Sequence, residues 1–321
     1  MAILVVGGAG YIGCHAARAL RKAGYEAIIY DSLVNGHRRL TDGFELIEAD
    51  MADPARLRDA LRRVDGVMDF AAHAYVGESV ENPRKYFRNN VEGTLNLLNL
   101  TMEAGIRRIV FSSTCAVYGE PAKVPITEDN PRQPVNPYGT SKLFCEYALE
   151  AYDRAYGLRS ARLRYFNAAG ADESGEIGEM HDPETHLIPL ALAAAQAGEL
   201  KVFGTDYPTS DGTCVRDYIH VNDLADAHVR ALQHLEKGGE SIALNLGTGR
   251  GDSVLDVIKA AESVTGRAVQ RTLGPRRAGD PPVLVADPSR AQKVLGWKAT
   301  RGLPEIVSSA WKWMQAVRGG S

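Results

Sequence analysis

Short runs of valine, isoleucine and leucine alternate with longer amphipathic stretches through the first half of the chain. Residues 3–6 read as a buried strand, and 11–23 as a helix stopped by Gly24. Further strands are expected at 27–30, 45–48, 66–70 and 108–112. Helices are expected at 54–64, at 84–104 before Gly105, and from Tyr138 to about Tyr156. Strands alternating with helices build right-handed crossovers, so the pattern predicts an α/β fold with a doubly wound parallel Rossmann sheet. The near-continuous Val/Ile content of these strands agrees, because parallel strands are buried on both faces.

The pattern changes after Asn167. Residues 168–181 are rich in glycine and acids and read as loop; 187–197 read as helix; 205–213, with Pro208 and Gly212, read as a polar cap. A helix is expected at 221–235 with Asn222 or Asp223 as its cap, a strand at 242–246, and a helix at 253–264 capped by Asp252 or Ser253. No internal repeat or low-complexity segment is visible. The expected division is a first lobe of residues 1–167 plus about 221–246, and a smaller, discontinuous α/β lobe of about 168–220 plus 247–321.

Composition narrows the classes of function. A length of 321 residues allows two domains, and 45% hydrophobic with 24% charged residues excludes wholesale disorder. A net charge of -3 gives no footprint for a nucleic acid polymer or an anionic membrane. Two local clusters, His37-Arg38-Arg39 and Arg276-Arg277, could still grip small anions. Cys14, Cys115, Cys145 and Cys214 are too scattered for a disulfide framework or zinc finger, and the 8 histidines show no metal spacing, so no metal is expected. The start Met1-Ala2-Ile3-Leu4 lacks a signal-peptide pattern, and the longest apolar stretch, 187–195, contains Pro189 and is too short to span a bilayer. A cytoplasmic location is expected. The closing Gly319-Gly320-Ser321 reads as an end without functional content.

Gly7-Gly8-Ala9-Gly10-Tyr11-Ile12-Gly13 follows the first strand and opens the first helix, with the dinucleotide fingerprint read at Gly8, Gly10 and Gly13. Glycine dihedrals make the tight turn, the backbone can approach a pyrophosphate, and the helix N-terminus favours its charge. Asp31 ends the second strand, where a carboxylate accepts from ribose hydroxyls and repels a 2′-phosphate, favouring NAD over NADP. Arg38 and Arg39 lie close enough in sequence to weaken that preference. Asp50-Met51 is placed to hold an adenine edge, and Phe70-Ala71-Ala72 lets a cofactor lie against backbone.

Tyr138 and Lys142 stand four apart at a helix start, on one face. A lysine ammonium beside a phenol favours the phenolate, so Tyr138 is a candidate general base. The hydroxyls of Ser112-Ser113-Thr114 emerge at the carboxyl edge of the sheet, where ligands of open α/β folds bind. Arg216 and Arg277 suit bidentate contacts to a nucleotide diphosphate, whereas His220 reads as a structural hydrogen-bonder.

Taken together, these motifs resemble the UDP-sugar 4-epimerase branch of the extended short-chain dehydrogenase/reductase superfamily. The likeness runs nearly end to end. It includes Val76-Gly77-Glu78-Ser79-Val80, Asn89-Asn90-Val91-Glu92-Gly93-Thr94, Asn136-Pro137-Tyr138-Gly139-Thr140-Ser141-Lys142 and Arg164-Tyr165-Phe166-Asn167. It continues through Arg216-Asp217-Tyr218-Ile219-His220-Val221, Asn245-Leu246-Gly247-Thr248-Gly249 and Arg277-Ala278-Gly279-Asp280. The resemblance implies that Tyr138 is the base, Lys142 its partner, and Thr114 the hydroxyl beside them. It implies tightly held NAD in the first lobe, contacted by Gly7, Gly10, Tyr11, Ile12, Gly13, Asp31, Asn35, Asp50, Met51, Phe70, Ala71, Ala72, Ala74, Asn89, Tyr138, Lys142 and Phe166. The UDP-sugar would meet Thr114, Asn167, His186, Leu187, Lys201, Val202, Phe203, Arg216, Arg277, Asp280 and Leu284. The implied activity interconverts UDP-galactose and UDP-glucose through a 4-keto sugar. A homodimer through helices near 89–104 and 141–156 is also implied.

Some positions depart from the branch's pattern. His186 stands where several members carry asparagine, Ala74 where some carry lysine, and Leu284 where residue size is expected to gate 2-acetamido sugars. Related 4,6-dehydratases carry an Asp-Glu pair after the strand-end threonine, and decarboxylases a glutamate; here Thr114 is followed by Cys115-Ala116, so both chemistries are disfavoured. Pentose and N-acetylhexosamine 4-epimerases remain alternatives. A non-catalytic NAD sensor would be expected to have lost Tyr138 or Lys142.

Overall fold

In the computed structural model, which describes residues 1–277 and 280–319, β1 (Ala2–Val6) leads through a glycine turn into α1 (Tyr11–Lys22). Ala278-Gly279 and Gly320-Ser321 lie outside the described residues. Arg21 and Lys22 close α1, where cations suit the helix C-terminus, and Gly24 at φ 87° turns the chain into β2 (Glu26–Asp31). After β3 (Glu45–Glu48), α2 (Pro54–Leu61) starts where Asp53 accepts the amides of Ala55 and Arg56 and Pro54 needs no donor. β4 (Gly66–Asp69) follows.

The single helix expected at 84–104 is instead built in pieces, and its first part was not foreseen: α3 (Val76–Glu81), α4 (Pro83–Tyr86), a π-helical stretch Phe87–Glu92 and α5 (Gly93–Glu103). The break has a local cause. Asn82 accepts the Lys85 amide as a cap, and Pro83 cannot donate back into α3. After β5 (Arg108–Thr114), α6 (Pro137–Tyr156) opens on Asn136, which accepts the Gly139 amide, and ends on left-handed Gly157.

β6 (Arg159–Tyr165) was not read as a strand, because Arg159, Arg162 and Arg164 hide its apolar content. In the fold Arg162 pairs with Glu150 and Arg164 with Glu146, both on α6. Then come β7 (Asn167–Ala169), α7 (Leu187–Gln196), β8 (Leu200–Phe203), β9 (Val215–Arg216) and β10 (Tyr218–His220). The remaining elements are α8 (Val221–Glu236), β11 (Ile242–Leu246), β12 (Asp252–Ser253), α9 (Val254–Thr265), β13 (Arg271–Gly274), β14 (Val283–Leu284), α10 (Ser289–Leu295) and α11 (Leu303–Gly319).

The cap of α8 is His220 rather than Asn222 or Asp223: its Nδ1 accepts the Asn222 amide at 3.1 Å while Nε2 meets Ser309 Oγ at 3.1 Å. Asp223 instead accepts from the Thr300 and Arg301 amides and pairs with the Arg301 guanidinium. Ser253 caps α9 as expected, in a capping box with Asp256.

Seven parallel strands form the main sheet in the order β11-β6-β5-β4-β1-β2-β3. Successive strands leave β1 in opposite directions, β2 to one side and β4 to the other. That is a topological switch point, and the crevice beyond its carboxyl ends is where such sheets bind ligands. One face is covered by a core that includes Leu20, Leu232 and Trp297, the other by one that includes Leu57, Leu97 and Leu149. A separate core of Ile188, Leu192, Val257, Ile258 and Ile306 joins α7, α9 and α11. Residues 289–299, expected with the second lobe, pack with the first: Ala291 and Trp297 belong to its core, and the Trp297 indole donates to the Asp223 carbonyl at 2.9 Å. Among the described residues no helix is long and apolar enough to cross a membrane.

Candidate active site at the switch point

A cleft of about 530 Å³ runs along the carboxyl ends of the main sheet. Its floor begins at the glycine turn. Gly7 has φ 75°, and a Cβ there would lie 2.6 Å from the Ala71 amide nitrogen; one on Gly13 would lie 2.3 Å from the Gly7 carbonyl oxygen. Both are backbone collisions, so only glycine closes the turn against β4. Gly8 is different. It does not line the cleft, and its Cβ would meet the Ile29 side chain at 2.8 Å and the Val5 carbonyl oxygen at 2.9 Å, inside the sheet. Within the turn, the glycines that line the cleft are Gly7, Gly10 and Gly13, which corrects the fingerprint read at Gly8. The N-terminus of α1 has no side-chain cap and no acid in its first turn, and Gly10, Tyr11, Ile12 and Gly13 present it to the cleft. An anionic diphosphate fits there.

Asp31 is oriented by its own backbone surroundings. Its Oδ2 accepts the Ala9 amide at 2.9 Å and its Oδ1 the Leu33 amide at 2.8 Å, while burial pushes its carboxyl above the usual range. The nearby cations are already engaged. Arg38 pairs with Glu48, and the Arg39 guanidinium sits 5.2 Å from the Trp313 ring. Both arginines thus have partners, while His37 of the same cluster lines the cleft. Arg276 is likewise tied to Asp206 at 2.8 Å. Every residue expected to hold NAD lines this cleft, including Asn35, Asp50, Met51, Ala74, Asn89 and Phe166. The bare helix end, the glycine contacts and the fixed carboxylate all fit a dinucleotide.

The reactive side chains lie at the far end of the same floor. The Asn136 cap fixes the start of α6, setting Tyr138 in the cleft and Lys142 one turn deeper. Burial pushes the Tyr138 phenol up to about 12, and interaction with the Thr114 hydroxyl opposes that rise. Lys142 is held elsewhere than expected: its Nζ donates to the Ser112 carbonyl at 2.9 Å and lies 4.7 Å from the Phe111 ring. Burial lowers the ammonium's pKa while Asp69 supports it; Asp69 is itself pushed up to about 6 by burial, with Lys142 opposing. The expected depression of Tyr138 by Lys142 is thus not the arrangement seen. The three strand-end hydroxyls also divide. Ser112 bonds Tyr165, Ser113 donates to Glu146 at 2.6 Å, and Thr114 accepts the Ala116 amide at 3.1 Å while facing Tyr138.

On the sugar side, Thr114, Asn167, His186, Arg216, Asp280 and Leu284 line the cleft. Arg216 is buried, donating to the Val215 carbonyl at 2.7 Å and pairing with Asp280. Five expected contacts are not brought into it: Leu187, Lys201, Val202, Phe203 and Arg277. Val202 and Leu187 pack in the second core, while Lys201 and Arg277 both approach the Phe203 ring, at 5.2 and 4.2 Å. Tyr165, Glu179 and His181 also line the cleft without having been expected there, and Ser112 lines it as the hydroxyl run suggested. Ser112 was named only as part of a hydroxyl run, and its carbonyl gave no sequence signal.

The model of the NAD dependent epimerase/dehydratase family matches residues 3–247. The UDP-glucose 4-epimerase of Rhizobium meliloti is 52% identical over 315 residues, covering 97% of this chain and 96% of its own. The structure of the Brucella ovis UDP-glucose 4-epimerase in complex with NAD matches with a TM-score of 0.94 at 49% identity, covering 97% of both chains. The UDP-glucose 4-epimerase from Stenotrophomonas maltophila, with bound NAD and formylated UDP-arabinopyranose, matches with a TM-score of 0.97 at 42% identity over 100% of both. A family match covering the whole main sheet, joined to near-full-length likeness in sequence and fold, accounts for the switch-point cleft: the chain belongs to the NAD dependent epimerase/dehydratase family.

Proposed function

We infer that the chain is a UDP-glucose 4-epimerase that interconverts UDP-galactose and UDP-glucose with NAD held in the cleft. The observation that carries this reading is the placement of Tyr138 and Thr114 in the same cleft as the uncapped α1 N-terminus and Asp31. When bound, NAD would supply a reversible hydride acceptor for C4 of the sugar, so no external oxidant would be consumed. Tyr138 takes the 4-hydroxyl proton, with Thr114 as relay, and returns it after the 4-keto sugar has turned over. Lys142 holds the floor rigid through the Ser112 carbonyl and supplies positive charge beneath it. Arg216, held by Val215 and Asp280, faces the UDP diphosphate, and Asn167, His186 and Leu284 surround the sugar. Leu187, Lys201, Val202, Phe203 and Arg277 are retained as UDP-sugar contacts on family resemblance alone.

The test is incubation with UDP-galactose, UDP-N-acetylgalactosamine and UDP-arabinose without added NAD, followed by sugar analysis. UDP-glucose is expected from UDP-galactose; no turnover of any of the three would overturn the reading. A pentose substrate is the second reading, because the Stenotrophomonas relative carries a UDP-arabinopyranose derivative. Leu284, partly buried at the cleft wall, restricts room for a 2-acetamido group. Leu284→Ser should raise kcat/KM for UDP-N-acetylglucosamine about tenfold or more; an unchanged value would remove Leu284 as the gate.

We also propose that residues 1–167 and 221–246, joined by 289–299, form the NAD lobe, and that the rest forms the UDP-sugar lobe. A homodimer is proposed through α5 and α6, where Phe144 and Tyr147 are exposed at 48% and 44%. Light scattering that gives a single-chain mass at micromolar concentration would contradict it.

A further inference from the structure

We propose that Glu179, His181, Glu184 and His186 form a site for one divalent transition-metal ion of the zinc class, on the wall of the cleft. The four lie in the loop between β7 and α7, and one ligand atom from each falls within 4.8 Å of all the others. Glu179 Oε1 is 2.8 Å from His181 Nδ1 and 2.5 Å from His186 Nδ1, and His186 Nδ1 is 3.3 Å from Glu184 Oε1. Two imidazoles thus turn the same ring nitrogen toward one carboxylate oxygen. Around a tetrahedral zinc ion, with bonds of about 2.0–2.2 Å, neighbouring donors sit about 3.4 Å apart. The close pairs, at 2.5–3.3 Å, sit below that value while the whole set stays within 4.8 Å, so side-chain rotations that spread the close pairs admit an ion.

The donor set selects the metal class. Two imidazoles with two carboxylates suit zinc, cobalt or manganese, whereas calcium and magnesium prefer oxygen donors throughout. The surroundings act as an outer shell. Glu184 Oε1 accepts the Thr185 amide at 2.7 Å and the His186 amide at 2.8 Å, which fixes that carboxylate. Edge-on contacts from Tyr11 and Tyr75, with ring centroids 6.2 and 6.0 Å away, confine His181. Glu179 is only 6% exposed at its side chain, and among the described residues the ion pairs of the two carboxylates are those with these histidines. Their negative field reaches both tyrosines: after burial, Glu179 and Glu184 are among the groups that push the phenols of Tyr11 and Tyr75 up, with Cys14 also acting on Tyr11 and Asp182 and Glu78 on Tyr75. A divalent ion neutralises that field and replaces the protons shared between imidazole and carboxylate, which pass to solvent. Its role is to pin the loop that leads into α7, with Glu179, His181 and His186 facing the cleft.

The test uses the full chain without an affinity tag, stripped by a chelator and titrated with Co²⁺. One equivalent should bind, with the visible absorption of tetrahedral cobalt, and Zn²⁺ should displace it and raise the thermal midpoint. Glu179→Gln and His186→Gln should each weaken Co²⁺ binding by about tenfold or more. The His181→Gln/His186→Gln double variant, checked for folding by circular dichroism, should abolish it. Absence of stoichiometric binding overturns the proposal, as does binding undiminished in the folded double variant. Should the double variant not fold, His186→Gln alone decides, since that side chain is 48% exposed. Anomalous scattering from Zn²⁺-soaked crystals must then place the ion among these four side chains and not elsewhere. None of these readouts depends on sugar turnover, so failure here leaves the epimerase reading untouched.

Discussion

Replacing Tyr138 with phenylalanine should lower kcat for UDP-galactose by about 10²–10⁴-fold, the span a positioned acid–base group contributes. The variant removes one oxygen from a side chain held by the Asn136-capped start of α6, so folding and NAD content should be unchanged. KM should move little, because the proposed diphosphate contact is Arg216, away from the Tyr138 hydroxyl. A pH profile separates catalysis from mere shape. The phenol is pushed up to about 12 by burial, with Thr114 opposing, and a base works only when deprotonated. The wild-type rate should therefore rise with pH as the phenolate forms, and the positive charge of bound cofactor determines how early that rise begins. Tyr138→Phe should lose this rising limb. A variant that keeps the wild-type rate, or the same pH dependence at a reduced rate, would remove Tyr138 as the base.

What was legible in the sequence was local. The glycine turn, Asp31 at a strand end and the Tyr138/Lys142 spacing each depend on residues within one element or its cap, and the fold places all of them in one cleft. What was hidden depended on partners far along the chain. β6 was missed because its arginines read as polar until Glu146 and Glu150 of α6 neutralise them. The partners of Arg38 and Arg39, Glu48 and the Trp313 ring, lie on other elements and gave no local signal. The α8 cap was misassigned because His220 fills it with one ring nitrogen while the other meets Ser309, 89 positions away. Gly8 fitted a motif by spacing alone, and its packing against Ile29 and the Val5 carbonyl separates it from the turn glycines that line the cleft. The Glu179–His186 group lies within eight residues, yet loop spacing without helical periodicity gave no reason to expect convergence.

The second large effect concerns the joint that holds the reactive floor together. Glu146 is fully buried on α6, one turn beyond Lys142. It accepts from Arg164 Nε at 2.8 Å and Nη2 at 2.6 Å, from Ser113 Oγ at 2.6 Å, and from Arg132 at 3.2 Å. The pair therefore ties α6 to the ends of β5 and β6, beside Thr114. Glu146→Gln leaves the Arg164 guanidinium buried without its counter-ion, and breaking such a pair costs about 3–5 kcal/mol. Against a typical total of about 5–15 kcal/mol, that is a large share, and it should appear as a lower urea midpoint with an unchanged slope. The pH dependence gives a second check. Burial alone would raise the Glu146 carboxyl, but Arg164 and Ser113 outweigh it and hold the folded value below the usual 4.5. A depressed folded value contributes stability that is complete above the unfolded one and is lost as pH falls through the folded one. Wild type should lose this increment in acid below about pH 4.5, and Glu146→Gln should not. Removing both charges, as Glu146→Leu with Arg164→Met, should recover most of the loss, since no ion is then stranded. If the double variant is as unstable as the single one, the joint acts through shape alone and its charges are incidental.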